Sequence, residues 1–526
     1  MADHPLPQRP DLSQLKRQAK DLLRSSRSRD PAALSRFRVL PAFQQMTNDE
    51  LTREELALHD AQSVIAREHG FPSWRTLRET VEEAAYGPDD AAERFVEAAT
   101  GGRRDRAERL LAQHPELKMD LYAALVTGDA ATLEKRLQSD PDLARRAGGV
   151  RSWEPLHYIC HTALARSSAG DSEGLVASAR MLLEKGADPD TRFPWLHHGV
   201  RRPVLWGATC VTRLLPLAEV LLDAGANPND GVTLPLSAGF GEVPTLELLL
   251  AHGADVDQPW ATDGSATIYA ILQWSANRTG VEWLLAHGAD PDPVFADNGE
   301  TPLHVVAQRW DAALAAKLVE RGADVVRPRA DGRTPYALAA LTGNAEVATW
   351  LRAYGVSDEL SGVDSLIAAA SRGERSVVDE ALRRLPELRN EVQGEHYVAL
   401  HRAAEEGNVQ VLKCLLACGL DPDHQEDGIG KTALHGAAME GRAEAVRTLL
   451  EHGASPAITD REFNGQPLVW AAEGCRIHPE RGDYALIARL LIDAGSPLDW
   501  EAGDEPAEGL LDLLEMWRRR RFDWTP

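Results

Sequence analysis

The stretch TPLHVVAQRWDAALAAKLVERGADVV (301–326) holds two short helices and the turn that ends them. Thr301 can cap a first helix, and Pro302 suits its first turn, where a missing N–H leaves no bond unmade. Leu303 followed by small residues makes that helix narrow, so it can pack closely against neighbours. The later Leu318-Val319 pair supplies the bulky side of a second helix. Gly322 then fits the left-handed position just past its end. TALHGAAMEGRAEAVRTLLEHGASP (432–456) repeats the plan, with Ala437-Ala438, Leu449-Leu450 and Gly453 in the corresponding places. No such pair can bury its apolar face alone, so neighbours must stack into one continuous core.

Turn phrases of this kind recur as LLEKGADPD (182–190), LLDAGANPN (221–229), LLAHGADVD (249–257) and LLAHGADPD (284–292), with looser copies at 351–359, 415–423 and 491–499. First-helix phrases precede them: EPLHYIC (154–160), TPYALAA (334–340), VALHRAA (398–404) and QPLVWAA (466–472). From Leu236 onward the steps between first-helix positions are 33, 35, 33, 30, 34, 34 and 34 residues. First helices around Phe95, Tyr122 and Ile367 lack the glycine turn and carry QHPEL (113–117), SDPDL (139–143) and RLPEL (384–388) instead. About twelve starts thus meet twelve stops over 92–500. A period near 33 with T-P-L-H resembles the ankyrin-repeat family. That resemblance implies an all-α solenoid of helix-turn-helix units with short hairpin loops. It also implies recognition of other proteins by a concave surface, the hairpin tips and exposed first-helix positions. The His of T-P-L-H is expected to bond backbone groups rather than a ligand.

Residues 1–90 leave this period and predict a separate small helical domain. Leu12, Leu15, Ala19, Leu22 and Leu23 have helical spacing. Asp30-Pro31 reads as a cap with proline at the first helical position. Thr52 and Glu55 have capping-box spacing before a helix carrying Leu58, Ala61, Val64 and Ile65. Ser73 can cap another carrying Trp74, Leu77 and Val81. QLKRQAKDLL (14–23) with LALHDAQSVIAREHGFPSWRTL (56–77) resembles an N-terminal module that accompanies ankyrin repeats in bacterial proteins. At the other end, Leu510, Leu511, Leu514 and Trp517 predict a capping helix within 501–526, with Arg518 to Arg521 in its last turn.

The chain of 526 residues has a formal net charge of -24, which argues against nucleic-acid binding over its whole surface. Residues 1–40 nevertheless carry nine basic residues against four acidic ones. They are the place where a nucleic-acid-associated regulator, the alternative function, would make contact. Five scattered cysteines do not suggest a disulfide framework, and no apolar run is long enough to span a bilayer. A cytoplasmic monomer with no membrane partner is therefore expected. GIGKT (428–432) lacks the earlier glycine of a phosphate-binding loop, since position 425 is Gln. His157, Cys160 and His161 lie several units away from Cys414 and Cys418, so no metal site is expected. No nucleophile with a spaced base stands out, and neither catalysis nor a cofactor is expected.

The function these readings leave is a protein–protein interaction scaffold. The candidate partner-binding residues are Trp153, Trp195, Trp260, Phe295 and Phe463 in connections between units, with Arg309, Trp310, Glu405 and Glu406 after first helices. Aromatic and arginine side chains dominate interface energetics. Three inserts, roughly 165–176, 192–203 and 474–483, lengthen individual units.

Overall fold

The computed structural model describes residues 6, 10–40, 43–54, 56–167, 170–194, 201–275, 277–360 and 362–497. The expected capping helix of 501–526 and Trp195 lie outside the described residues. Contacts divide the chain into two units, residues up to 267 with 277–283, and residues 268–276 with those from 284 onward.

The first unit opens with five helices, Leu12–Arg27, Pro31–Arg36, Asn48–Arg53, Leu58–Glu68 and Trp74–Glu83. Their apolar stripes meet in one core around Ala19, Leu34, Phe37, Leu51, Val64 and Leu77. Asp30 and Ser73 cap their helices as their positions suggest. The capping box, however, sits one element earlier than expected. Thr47 takes the Glu50 N–H while Glu50 takes the Thr47 N–H at 2.7 Å, starting a helix that buries Leu51 completely. Thr52 lies inside that helix and donates to the Asn48 carbonyl. Leu58–Glu68 begins instead after Ala57, whose N–H is held by Asp60 at 2.8 Å. Both spacings satisfy the motif, and burial of Leu51 decides between them.

The helical module is fastened to the first of the helix pairs beyond it. Glu83 is completely buried at the end of its helix and receives Arg106 at 2.7 Å and Arg109 at 3.5 Å from the helix Arg104–Gln113. The His114 ring bonds the Glu83 carbonyl at 2.9 Å. Removing one partner of a buried ion pair strands the other charge. Glu83→Ala is therefore expected to cost about 3 kcal/mol and to expose the 84–87 connection to limited proteolysis. Unchanged cleavage and an unchanged melt would refute this fastening role.

From Pro88 the first unit continues as helix pairs, beginning with Pro88–Thr100 and Arg104–Gln113, then Leu121–Thr127 and Ala130–Ser139. The Pro-acid-Leu runs form short 3₁₀ turns, Pro115–Met119 and Pro141–Arg145, where other pairs have glycine turns. The insert at 192–203 forms an antiparallel pair, Arg192–Pro194 with Arg201–Pro203. Its Phe193 packs into a small core with Trp206 and Val232.

The second unit contains the pairs Pro302–Arg309 with Ala312–Glu320, Pro335–Leu341 with Ala345–Ala353, and Gly362–Ser371 with Arg375–Arg384. Tyr397–Glu406 with Val409–Ala417, Ala433–Met439 with Ala443–Glu451, and Pro467–Ile477 with Tyr484–Asp493 come after them. Leu434, Ala437, Ala438 and Leu449 are completely buried, as a narrow first helix and a bulky second one require. Gly322 and Gly453 end second helices at φ +114 and +91, a conformation that side-chain-bearing residues rarely adopt. The motif histidines serve the backbone. His304 and His435 each accept the N–H of their capping threonine on Nδ1 at 3.1 Å, and His435 Nε2 reaches the Gly465 carbonyl.

Candidate functional site

In the first unit, Trp153 is packed beneath its own loop. Its ring lies 4.6 Å from Phe193 and 5.5 Å from His161, with the Arg151 guanidinium over it. Trp260 is half-buried in a tight turn closed by its N–H on the Ser265 carbonyl at 2.7 Å. On the helix Leu12–Arg27 the cations Lys16, Arg17, Lys20, Arg24 and Arg27 are all exposed. Their spacing places them on one side, opposite Leu15, Ala19 and Leu22.

In the second unit the expected residues behave differently. Phe295 stacks on Tyr269 with centroids 4.9 Å apart. Arg309 donates to the Gln273 carbonyl at 2.9 Å, and Trp310 Nε1 to the Leu272 carbonyl at 3.2 Å. Glu405 pairs with Lys431 at 2.7 Å, and Glu406 with Arg402 at the same distance. Phe463 is the one aromatic ring among the described candidates that is broadly open, at 69% exposure. Its backbone is also held in place, because buried Asp460 accepts the N–H groups of Glu462, Phe463 and Gly465 together with Trp470 Nε1. A loop whose backbone is already ordered loses little conformational freedom when a partner covers it.

Between these residues lies an ionic network that sequence reading missed. Glu300 is buried and receives Tyr269 Oη at 2.7 Å, Gln308 Nε2 at 2.9 Å, Gln273 Nε2 at 3.1 Å and Arg329 Nη1 at 3.2 Å. Arg329 also binds Asp331 at 2.6 Å and Glu395 at 3.0 Å. Arg333 bridges Asp331 and Asp364, the latter through two bonds of 2.9 and 2.7 Å. His396 Nδ1 accepts the Gln393 N–H, so Nε2 carries the proton that goes to Asp364 at 2.9 Å. Burial opposes charge on Arg329, Asp331 and Asp364, but the partners prevail. Asp331, Glu395 and Glu300 hold the Arg329 guanidinium above the usual arginine value. Arg329 and Arg333 bring Asp331 down to about 2. His396 and Arg333 hold Asp364 well below the ordinary carboxylate range. The only trace of this network in the sequence is the short step of 30 residues between Ala337 and Ile367. Polar residues in loops carry no periodic signal.

Burial pushes His157 and His401 down to about 3, and His161 and His304 down to about 4. Burial likewise drives the Cys160 thiol far up, Cys418 to about 12 and Cys210 to about 11, the opposite of an activated nucleophile. Among the described residues no group of three or more His, Cys, Asp or Glu is arranged to hold a metal ion. No helix of the described residues is long and apolar enough to cross a membrane.

Residues 268–361, 365–460 and 400–497 match the family described as ankyrin repeats in three copies. This part of the chain, which contains the network, Phe463 and five other candidate residues, consists of ankyrin repeats. No curated protein matches the chain.

Proposed function

We propose that this protein is a binding scaffold that recognises another protein through the first-helix face and connecting loops of its ankyrin repeats. Ankyrin repeats generally mediate protein–protein interaction, and their presence over 268–497 is the observation that carries the reading. Phe463 is the leading anchor, with Arg309, Glu405 and Glu406 as further polar contacts. Trp153, Trp260, Phe295 and Trp310 act beneath the surface, shaping the loops that a partner touches. The reading makes the protein a monomeric, non-catalytic component of a bacterial cytoplasm.

The test is affinity capture with the full chain in an extract of its source organism, identified by mass spectrometry. A specific protein is expected to be retained, and Phe463→Ala is expected to weaken its binding roughly tenfold or more, as loss of a central aromatic anchor does. Failure to retain any specific protein overturns the scaffold reading. Equal retention by the variant removes Phe463 from the interface.

A further inference from the structure

In a stack of repeats each unit touches its immediate neighbours, and stability is a sum of nearest-neighbour terms. The second unit breaks that rule. Arg402 Nη1 donates to the Gln308 carbonyl at 2.7 Å across 94 positions, and Arg329 Nη1 reaches Glu395 at 3.0 Å across 66. The first contact joins the helix Tyr397–Glu406 to Pro302–Arg309, with two other first helices between them in the chain.

The cause lies in the pair between them. The step from Ala337 to Ile367 is the shortest of the series. After Arg375–Arg384 the chain folds into the 3₁₀ turns Pro386–Glu391 and Gly394–His396 before the helix Tyr397–Glu406 begins. On the way, a groove of about 670 Å³ opens beside Ala345–Ala353, lined by Ala340, Ala348, Leu360 and Arg372. The helices on either side of the shortened pair thereby approach each other on the face that carries Glu300 and Arg329. Glu395 and Arg402 arrive last in the chain and close the gap.

We propose that Glu395 and Arg402 form a latch that holds this first-helix face closed on itself and that opens when the two contacts are lost. Two tiers of the network differ in kind. Arg329, Glu300 and His396 are almost wholly buried and belong to the folded core. The Glu395 side chain is 36% exposed and that of Arg402 31%, so both face water on one side. The Glu395 ion pair and the Arg402 hydrogen bond to a backbone carbonyl are each weak at such half-exposed positions, and the ion pair is further screened by salt. They therefore add to the closed form without being required for folding. A partner that presents its own carboxylate to Arg402, or its own cation to Glu395, competes with the latch. Its apparent affinity is reduced by the fraction of chains that are closed. That last consequence rests on the scaffold reading, whereas the latch itself is a property of the chain alone.

The test needs no partner. Spin labels carried on unnatural amino acids at the exposed positions 313 and 413 report the distance between the second helices of the two joined pairs. In the full chain at 0.1 M NaCl the distance distribution is expected to be short and narrow. The double variant Glu395→Gln, Arg402→Ala is expected to move it outward and broaden it, and 1 M NaCl is expected to move the unsubstituted chain in the same direction. Should the double variant fail to fold by circular dichroism, Glu395→Gln alone carries the comparison. A distribution unchanged by loss of the contacts overturns the latch, even if a partner is later found. An outward shift with no partner found leaves the latch standing and removes only the scaffold reading.

Discussion

Replacing Arg329 by Met is expected to be among the most damaging single changes in the second unit, at about 3–5 kcal/mol. The Arg329 side chain is only 3% exposed, and its guanidinium is shared by Glu300, Asp331 and Glu395. Its removal leaves Glu300 buried with only the neutral donors Tyr269, Gln273 and Gln308. An uncompensated buried charge costs far more than the pair contributed. For a unit of this size the loss corresponds to a fall of roughly 10 °C in the melting transition. Adding Glu300→Gln to Arg329→Met is expected to restore part of the stability, because the neutral amide no longer needs a cation. A double variant as unstable as the sum of the two single changes would show that the charges are not coupled. The same result would reduce the network to a set of independent surface pairs.

Acidification is expected to have the second large effect, and it should act on both units. His157 and His161 in the first unit, and His304 and His401 in the second, have folded-state values of about 3 to 4 because burial disfavours their charged form. In the unfolded chain each titrates near 6.5. Above that value neither state binds the proton and stability is complete. As pH falls below it, the unfolded chain takes up protons that the folded one refuses. Stability then drops by up to about 1.4 kcal/mol per pH unit for each histidine until the folded value is reached. Asp230, Asp292 and Glu426, which burial raises, act in the opposite direction, but their carboxyls titrate lower in the unfolded chain and there are fewer of them. Asp331 and Asp364 add to the loss only at still lower pH, below the ordinary carboxylate range. Melts at pH 7.5 and pH 5 should therefore differ by on the order of 10 °C or more. Equal midpoints would contradict the burial of these rings.

The histidines also show what kind of reading a sequence supports. In T-P-L-H, the side chain is three residues after its capping threonine, so a bond to that threonine's N–H is a local event. His304 and His435 make it, and their structural role was legible from spacing alone. The same holds for Gly322 and Gly453, whose positive φ is set by where a helix must stop. The capping box of the N-terminal module was harder, because Thr47 with Glu50 and Thr52 with Glu55 fit the motif equally well. Burial of Leu51, a contact with the module's core, selects the first.

The candidate interaction residues divide in the same way. Aromatic side chains in loops are recognisable as candidates, but whether a ring faces water depends on what folds over it. Trp153 is covered by Phe193, which arrives on the strand Arg192–Pro194, and Phe295 by Tyr269. Phe463 stays open while Asp460 fixes its backbone from below.

For this protein, the order and length of the helix pairs and the places where helices begin and end are written in the sequence. Each depends on residues within one or two turns of one another, and a repeat states the rule many times over. The closing of the first-helix face depends on Arg402 meeting Gln308 and on Arg329 meeting Glu395. Those partners are brought together by the way the shortened pair after Ala337 turns the chain, an accumulated rotation that no local pattern records. Tertiary structure alone therefore decided which charges are buried, which aromatic ring is presented, and how the first-helix face is held.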